Sequence, residues 1–204
     1  MAFDPACRQC PRLADFLDKV RGKHPDYHAA PVPAFGDSTP RLLIIGLAPG
    51  MHGANRTGRP FTGDYAGLLL YQSLFELGLS NTPRSEHAGD SLRLSGVRIT
   101  NAVKCLPPAN KPTTEEVRRC NGYLAEEIQA LPISSVLFAL GSIAHQAVLR
   151  AYGLKLSAYH FGHGAVHAMP DGRRLVSSYH CSRYNTQTKR LTKEMFTEAL
   201  KKAL

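Results

Sequence analysis

Four short apolar runs, each ahead of a helical pattern, constrain this chain most. Arg41–Leu47 (RLLIIGL) is nearly continuous hydrocarbon ending in a glycine turn. Val97–Val103 (VRITNAV), Ser135–Leu140 (SVLFAL) and Arg174–Tyr179 (RLVSSY) resemble it. Runs of this length without alternation suit strands buried on both faces of a parallel sheet. Between them lie segments with apolar residues at spacings of three and four, as in Asp64–Leu77. A second begins at Thr113 or Thr114 as cap, with Glu115 and Glu116 in its first turn and Pro132 beyond its end. Gly141–Ala151 and Thr188–Leu204 read as two more helices, and a short one precedes the Pro-rich loop Ala29–Pro40. Alternating strands and helices predict an α/β fold: a three-layer α/β/α sandwich around a mainly parallel, four-stranded central sheet. We expect residues 1–204 to form one domain.

In such sheets ligands bind beyond the carboxyl ends of the strands. The loops to inspect therefore begin near Gly46, Asn101, Gly141 and His180. The formal net charge is +9, which suits a polyanionic partner whose phosphates release counterions on binding. The apolar runs are too short to span a bilayer, and the N-terminus MAFDPACRQC lacks a signal-peptide pattern. The expectation is a cytoplasmic protein with no membrane partner, acting as a monomer. Five cysteines, an odd count, argue against a disulfide framework.

Three loops carry unusual residues. Gly46–Asp64 (GLAPGMHGANRTGRPFTGD) packs glycines, Arg56, Arg59 and Phe61 directly after a strand. Glycine lets a backbone approach a ligand closely, and successive N–H groups can cradle an anion. The plainer reading is a surface loop with Phe61 tucked into the core; neither common nucleotide fingerprint is present. Asn101, in ITNAVKCLPP, offers a donor and an acceptor together and can read a base edge, or can bond its own turn. His180 opens a polar segment with Ser182, Arg183 and Asn185. Cys7-x2-Cys10 and Cys105-x14-Cys120 supply four thiols, which suit zinc, a 4Fe–4S cluster, or scattered burial without metal.

The first loop resembles the leading motif of the uracil-DNA glycosylase superfamily, in particular its family 5 (B-type) enzymes of bacteria and archaea. Met51 stands where that family usually has alanine. TNAVKCLPPANKP, the Cys120 position and YHCSRYNTQTKRLT are similar in order and spacing, so the resemblance spans nearly the whole chain. Cys181 and Lys189 depart from the usual pattern, near the loop expected to face DNA. The resemblance implies a 4Fe–4S cluster on Cys7, Cys10, Cys105 and Cys120. It implies hydrolysis of the glycosidic bond of uracil in single- or double-stranded DNA, leaving an abasic site without strand cleavage. Hypoxanthine, xanthine, ethenocytosine and hydroxymethyluracil are implied as further substrates.

The chemistry assigns roles within that frame. The nucleotide must be flipped out. Phe61 is expected to stack on it and Asn101 to bond its edge. His180 would offer a hydrogen bond or positive charge to O2 of the departing base. Gly46, Ala48, Gly50 and Gly53 would line the pocket, with Ser182 and Arg183 on flanking phosphates. The stretch His52–Asn55 lacks the carboxylate that other uracil glycosylases use to activate water. Asp64 is the expected replacement, or only a helix cap; Asn55 and His52 are the alternatives. Two competing readings are a damaged-DNA-binding protein that no longer excises and a zinc-stabilised nucleotide-binding protein.

Overall fold

The computed structural model describes residues 3–204. Its core is one six-stranded sheet in the order β1-β3-β2-β4-β6-β5. The four expected strands form its parallel centre: β2 (Leu42–Gly46), β3 (Val97–Asn101), β4 (Val136–Leu140) and β6 (Arg174–Ser178). The sheet is two strands wider than the sequence predicts. β1 (Phe35–Gly36) pairs antiparallel with β3, and β5 (Val166–Ala168) antiparallel with β6. Both are too short to show a pattern. β1 lies inside the Pro-rich segment, and β5 is exposed or half-buried throughout.

Alternate side chains of the central strands enter two separate cores. Leu43 and Ile45 of β2, with Leu137 and Ala139 of β4, pack against α1 (Pro11–Lys23), α4 (Thr114–Gln129) and α5 (Ser142–Ala151). Leu42, Ile44, Phe138 and Leu140 face α3 (Tyr65–Glu76) and α7 (Lys193–Lys201). That is the expected three-layer arrangement. At the head of α4, the Thr113 hydroxyl accepts from the Glu116 amide (3.2 Å) while the Glu116 carboxylate accepts from the Thr113 amide (2.7 Å). The same carboxylate takes two 2.7 Å bonds from Arg12, fastening α1 to α4.

The C-terminal region corrects one expectation. Thr188–Leu204 is not one helix: α6 (Arg183–Gln187) ends at Thr188, and α7 starts at Lys193. Between them Lys189 has a left-handed backbone, φ 56°. Thr192 then restarts the chain, its hydroxyl accepting from the Met195 amide at 3.2 Å. Two capping residues ten positions apart, Ser182 and Thr192, outcompete one continuous helix. No helix among the described residues is long and apolar enough to cross a membrane.

Candidate active site

A cleft of about 440 Å³ opens at the carboxyl edge of the sheet. Its walls come from the loop after β2 (Leu47, Ala48, Gly50, Ala54, Phe61), the head of α3 (Asp64, Tyr65, Ala66) and the end of β3 (Asn101). Asn110 and the segment after β6 (His180, Ser182, Arg183) complete it. Segments separated by more than a hundred residues in sequence thus converge on one concavity.

Gly46 and Asn101 end neighbouring parallel strands in register. A Cβ on Gly46 would collide with the Asn101 carbonyl oxygen and would come within 2.7 Å of the Phe61 ring. Glycine at 46 is therefore what allows a planar ring and an amide to meet at the strand ends. Phe61 holds a left-handed backbone (φ 54°), unfavourable for an aromatic residue by about 1–2 kcal/mol. The flanking loop enforces it: the Tyr71 hydroxyl donates to the Pro60 carbonyl (2.8 Å), and the Thr62 and Ser85 hydroxyls bond at 2.7 Å. Asn101 is buried, yet no described residue hydrogen-bonds its amide, which leaves donor and acceptor for a ligand.

His180 and Asp64 stand in the same cleft with oppositely shifted acidities. Desolvation pushes the imidazole pKa down to about 4, so the ring is neutral at pH 7. Of the two expected offers, a hydrogen bond or positive charge, a neutral ring is compatible with the first. The ring lies nearly parallel to Phe61, 6.0 Å between centroids and 27° apart. Asp64 is raised above the ordinary aspartate value, chiefly by desolvation, against two backbone hydrogen bonds that lower it. One carboxylate oxygen caps α3, accepting from the Gly67 amide at 3.0 Å. The other is packed against Gly53, where any Cβ would strike it. The cap reading of Asp64 is thus observed, and the same carboxylate lines the cleft.

At the rim, the Ser182 hydroxyl accepts from the Asn185 amide (3.4 Å) and caps α6, while Arg183 lies 5.8 Å from the Tyr65 ring. The Asn185 side chain donates to the His180 carbonyl at 2.8 Å. Asn55 is placed apart from this group. It is fully buried in the short helix α2 (Ala54–Thr57), does not line the cleft, and its amide has no partner. Arg59 is not a free charge on the loop. It is buried in an ion pair with Asp90 (2.5 Å), bonds Ser85 and the Ala88 carbonyl, and lies over Phe35. Sequence reasoning missed Asn110 and Tyr65. Asn110 has φ 55° after Ala109 at φ 54°, and asparagine beyond a proline pair is a left-handed turn signal that could have drawn notice. Tyr65 carries no such signal.

Cys7, Cys10, Cys105 and Cys120 line a second, smaller cavity between α1 and α4. Among the described residues no three His, Cys, Asp or Glu side chains form a group able to hold a single metal ion. Desolvation, and then the other thiols, push Cys105 up to about 12; Cys120 is raised to about 11, mainly by desolvation. The Lys104 amide donates to the Cys120 sulfur at 3.2 Å. Four sulfur donors around one hollow, two of them too desolvated to ionise alone, suit a positively charged metal centre that favours the thiolate form.

The uracil DNA glycosylase superfamily model matches residues 33–204. A type-5 uracil-DNA glycosylase of Thermus thermophilus is 53% identical over 203 residues, covering 97% of this chain and 92% of that protein. One of Pyrobaculum aerophilum is 44% identical over 201 residues, covering 97% and 87%. A type-4 uracil-DNA glycosylase of Archaeoglobus fulgidus is 33% identical over 153 residues, covering 74% and 63%. With strand-end Asn101, the strained Phe61 and His180 gathered at one cleft and Gly46 packed against the first two, this chain belongs to the uracil-DNA glycosylase superfamily, on its type-5 side.

Proposed function

We propose that this chain is a DNA-repair enzyme that hydrolyses the N-glycosidic bond of uracil in DNA and leaves an abasic site. The observation that carries the reading is the meeting of Phe61 and the unpartnered Asn101 amide over Gly46, in a cleft that also holds His180 and Asp64. The base leaves its stack, lies on Phe61 and takes its edge contacts from Asn101. As the bond lengthens, negative charge grows on the base and positive charge on the sugar. Neutral His180 donates a hydrogen bond to the leaving base, a preorganised donor aimed at developing charge. The free oxygen of Asp64 orients water and opposes the sugar's positive charge. Desolvation acts on both groups against their charged forms, raising Asp64 and lowering His180.

The same cleft supports a wider base range. Its recognition rests on stacking and one adaptable amide, so hypoxanthine, xanthine, ethenocytosine and hydroxymethyluracil also fit the proposal. At the mouth, Tyr184 stands 70% exposed beside Arg183. In duplex DNA it fills the gap that the flipped nucleotide leaves.

Cys7, Cys10, Cys105 and Cys120 hold a 4Fe–4S cluster in this reading. Four thiolates suit zinc as well as a cluster, and the resemblance of the cysteine positions to the type-5 enzymes favours the cluster. A cluster takes its thiolates from the corners of a wider hollow. It would tie the N-terminal segment to α4 and to the stretch that leaves Asn101. The test of the enzymatic reading is a labelled oligonucleotide containing uracil, incubated with protein and then with alkali. Cleavage at the uracil in single or double strands supports it; an intact strand in both refutes it.

A further inference from the structure

His180 follows β6 by two residues, and a side chain that does not line the cleft holds that short link. The β5–β6 ladder continues past β5: the Gly164 amide donates to the Ser177 carbonyl (2.7 Å) and the Ser177 amide to the Ala165 carbonyl (3.0 Å). One step further the backbone partner is missing. The Tyr179 amide donates instead to Nδ1 of His163, at 3.2 Å. The His163 ring also stacks on the Tyr179 ring, 5.1 Å between centroids and 23° apart. The Ser178 hydroxyl donates to the Tyr179 carbonyl at 2.9 Å. Across the link, the Gly141 amide donates to the Ser178 carbonyl (2.8 Å).

We propose that His163 is a positioning residue for His180: its unprotonated Nδ1 accepts the Tyr179 amide and so fixes the backbone immediately before the catalytic ring. A backbone N–H can only donate, so Nδ1 must carry its lone pair. Protonation sets a second donor against the Tyr179 amide, and the Nδ1 proton turns to the Ser178 hydroxyl 3.3 Å away, which releases the link. His163 is thus competent only as the neutral ring, and its surroundings keep it so. Lys202, just past the end of α7, faces it, donating at 3.1 Å to the adjacent Gly164 carbonyl, and the Met195 backbone of α7 faces it as an acceptor. Arg190 lies 4.8 Å over the stacked Tyr179 ring. Among the described residues no carboxylate pairs with His163. Burial and Lys202 lower its pKa from 6.5, against the Met195 backbone, so the link loosens only below that pH.

The inference rests on the proposed role of His180, and the controls separate the two. Single-turnover excision is measured on uracil DNA at saturating enzyme, from about pH 7.5 down to about pH 5, for wild type, His163→Asn, His163→Ala and His180→Ala. Asparagine places an oxygen where Nδ1 stands and accepts the amide at every pH. His163→Ala is expected to lose about 10- to 100-fold in rate with little change in DNA affinity, since a misplacement near 1 Å costs that much. His163→Asn is expected to recover most of the rate at neutral pH. Its ratio to wild type should rise several-fold as the pH falls, while Asp64 titrates alike in both. An unchanged His163→Ala rate, no recovery in His163→Asn, or parallel pH profiles for His163→Asn and wild type would each overturn the proposal. A fully active His180→Ala would instead overturn the role given to His180.

Discussion

Replacing Asp64 by asparagine and by alanine separates its two oxygens. As the N-cap of α3, the side chain accepts from the Gly67 amide at 3.0 Å. Asparagine caps about as well as aspartate, whereas alanine forfeits about 1 kcal/mol. For a chain of 204 residues that difference is about 2–4 °C in Tm. The charge acts the other way. Because the folded pKa is raised, the native state holds the proton more tightly than the unfolded chain between 3.8 and the folded value. Stability therefore falls as pH rises through that window, and above it the ionised carboxylate is a net cost to the fold. Asp64→Asn should then melt at or above wild type, with Asp64→Ala about 2–4 °C below Asp64→Asn. Excision should drop about 100- to 10,000-fold in both variants, the usual worth of a positioned base. Melting curves and single-turnover rates on uracil DNA decide it. Equal Tm for the two variants would refute the cap, and an Asp64→Asn rate within about tenfold of wild type would refute the chemistry.

Gly46→Ala should raise KM for uracil DNA steeply while the fold persists, because its methyl strikes the Asn101 amide and the Phe61 ring; unchanged base affinity, read by fluorescence with an abasic control, would count against the stacking site. Tyr184→Ala should slow excision from duplexes more than from single strands, and an equal loss on both would remove the gap-filling role. Cys120→Ala should abolish visible iron–sulfur absorbance in purified protein and lower Tm; a wild-type spectrum would exclude that ligand. His180→Gln should flatten the fall in stability between pH 6.5 and about 4, where the wild-type unfolded chain binds a proton that the native ring refuses. The shift corresponds to roughly 3 kcal/mol, and identical pH–stability curves would show that the ring is not desolvated.

The fold was readable where burial is two-sided. β2 and β4 are wholly buried, so their sequences are uninterrupted hydrocarbon. β5 contributes a half-exposed residue between two exposed ones, and β1 has only two residues, so neither leaves a pattern. The site was readable through chemistry that the fold does not require: the glycine-dense loop, and a histidine at the end of a strand. Asn110 and Tyr65 enter the cleft through backbone geometry and the packing of α3, which local sequence does not encode. Arg59 misleads for the opposite reason. A basic residue in a glycine-rich loop looks like an anion ligand until Asp90, 31 positions later, is seen to neutralise it.

One cause underlies most features of the cleft. The burial that raises Asp64 and lowers His180 also leaves the Asn101 amide with no hydrogen-bond partner among the described residues. Each of these is unfavourable to folding, as is the left-handed backbone of Phe61. The surrounding protein imposes them with groups that carry no chemistry: the Tyr71 hydroxyl on the Pro60 carbonyl, Asn185 on the His180 carbonyl, and His163 on the Tyr179 amide. A fold under selection for stability alone would pair the Asn101 amide and desolvate neither Asp64 nor His180. That four such groups face one cleft is the physical ground for placing the reaction there. It also explains why substitutions that relieve the strain, Asp64→Asn first among them, should favour the fold and disable the enzyme.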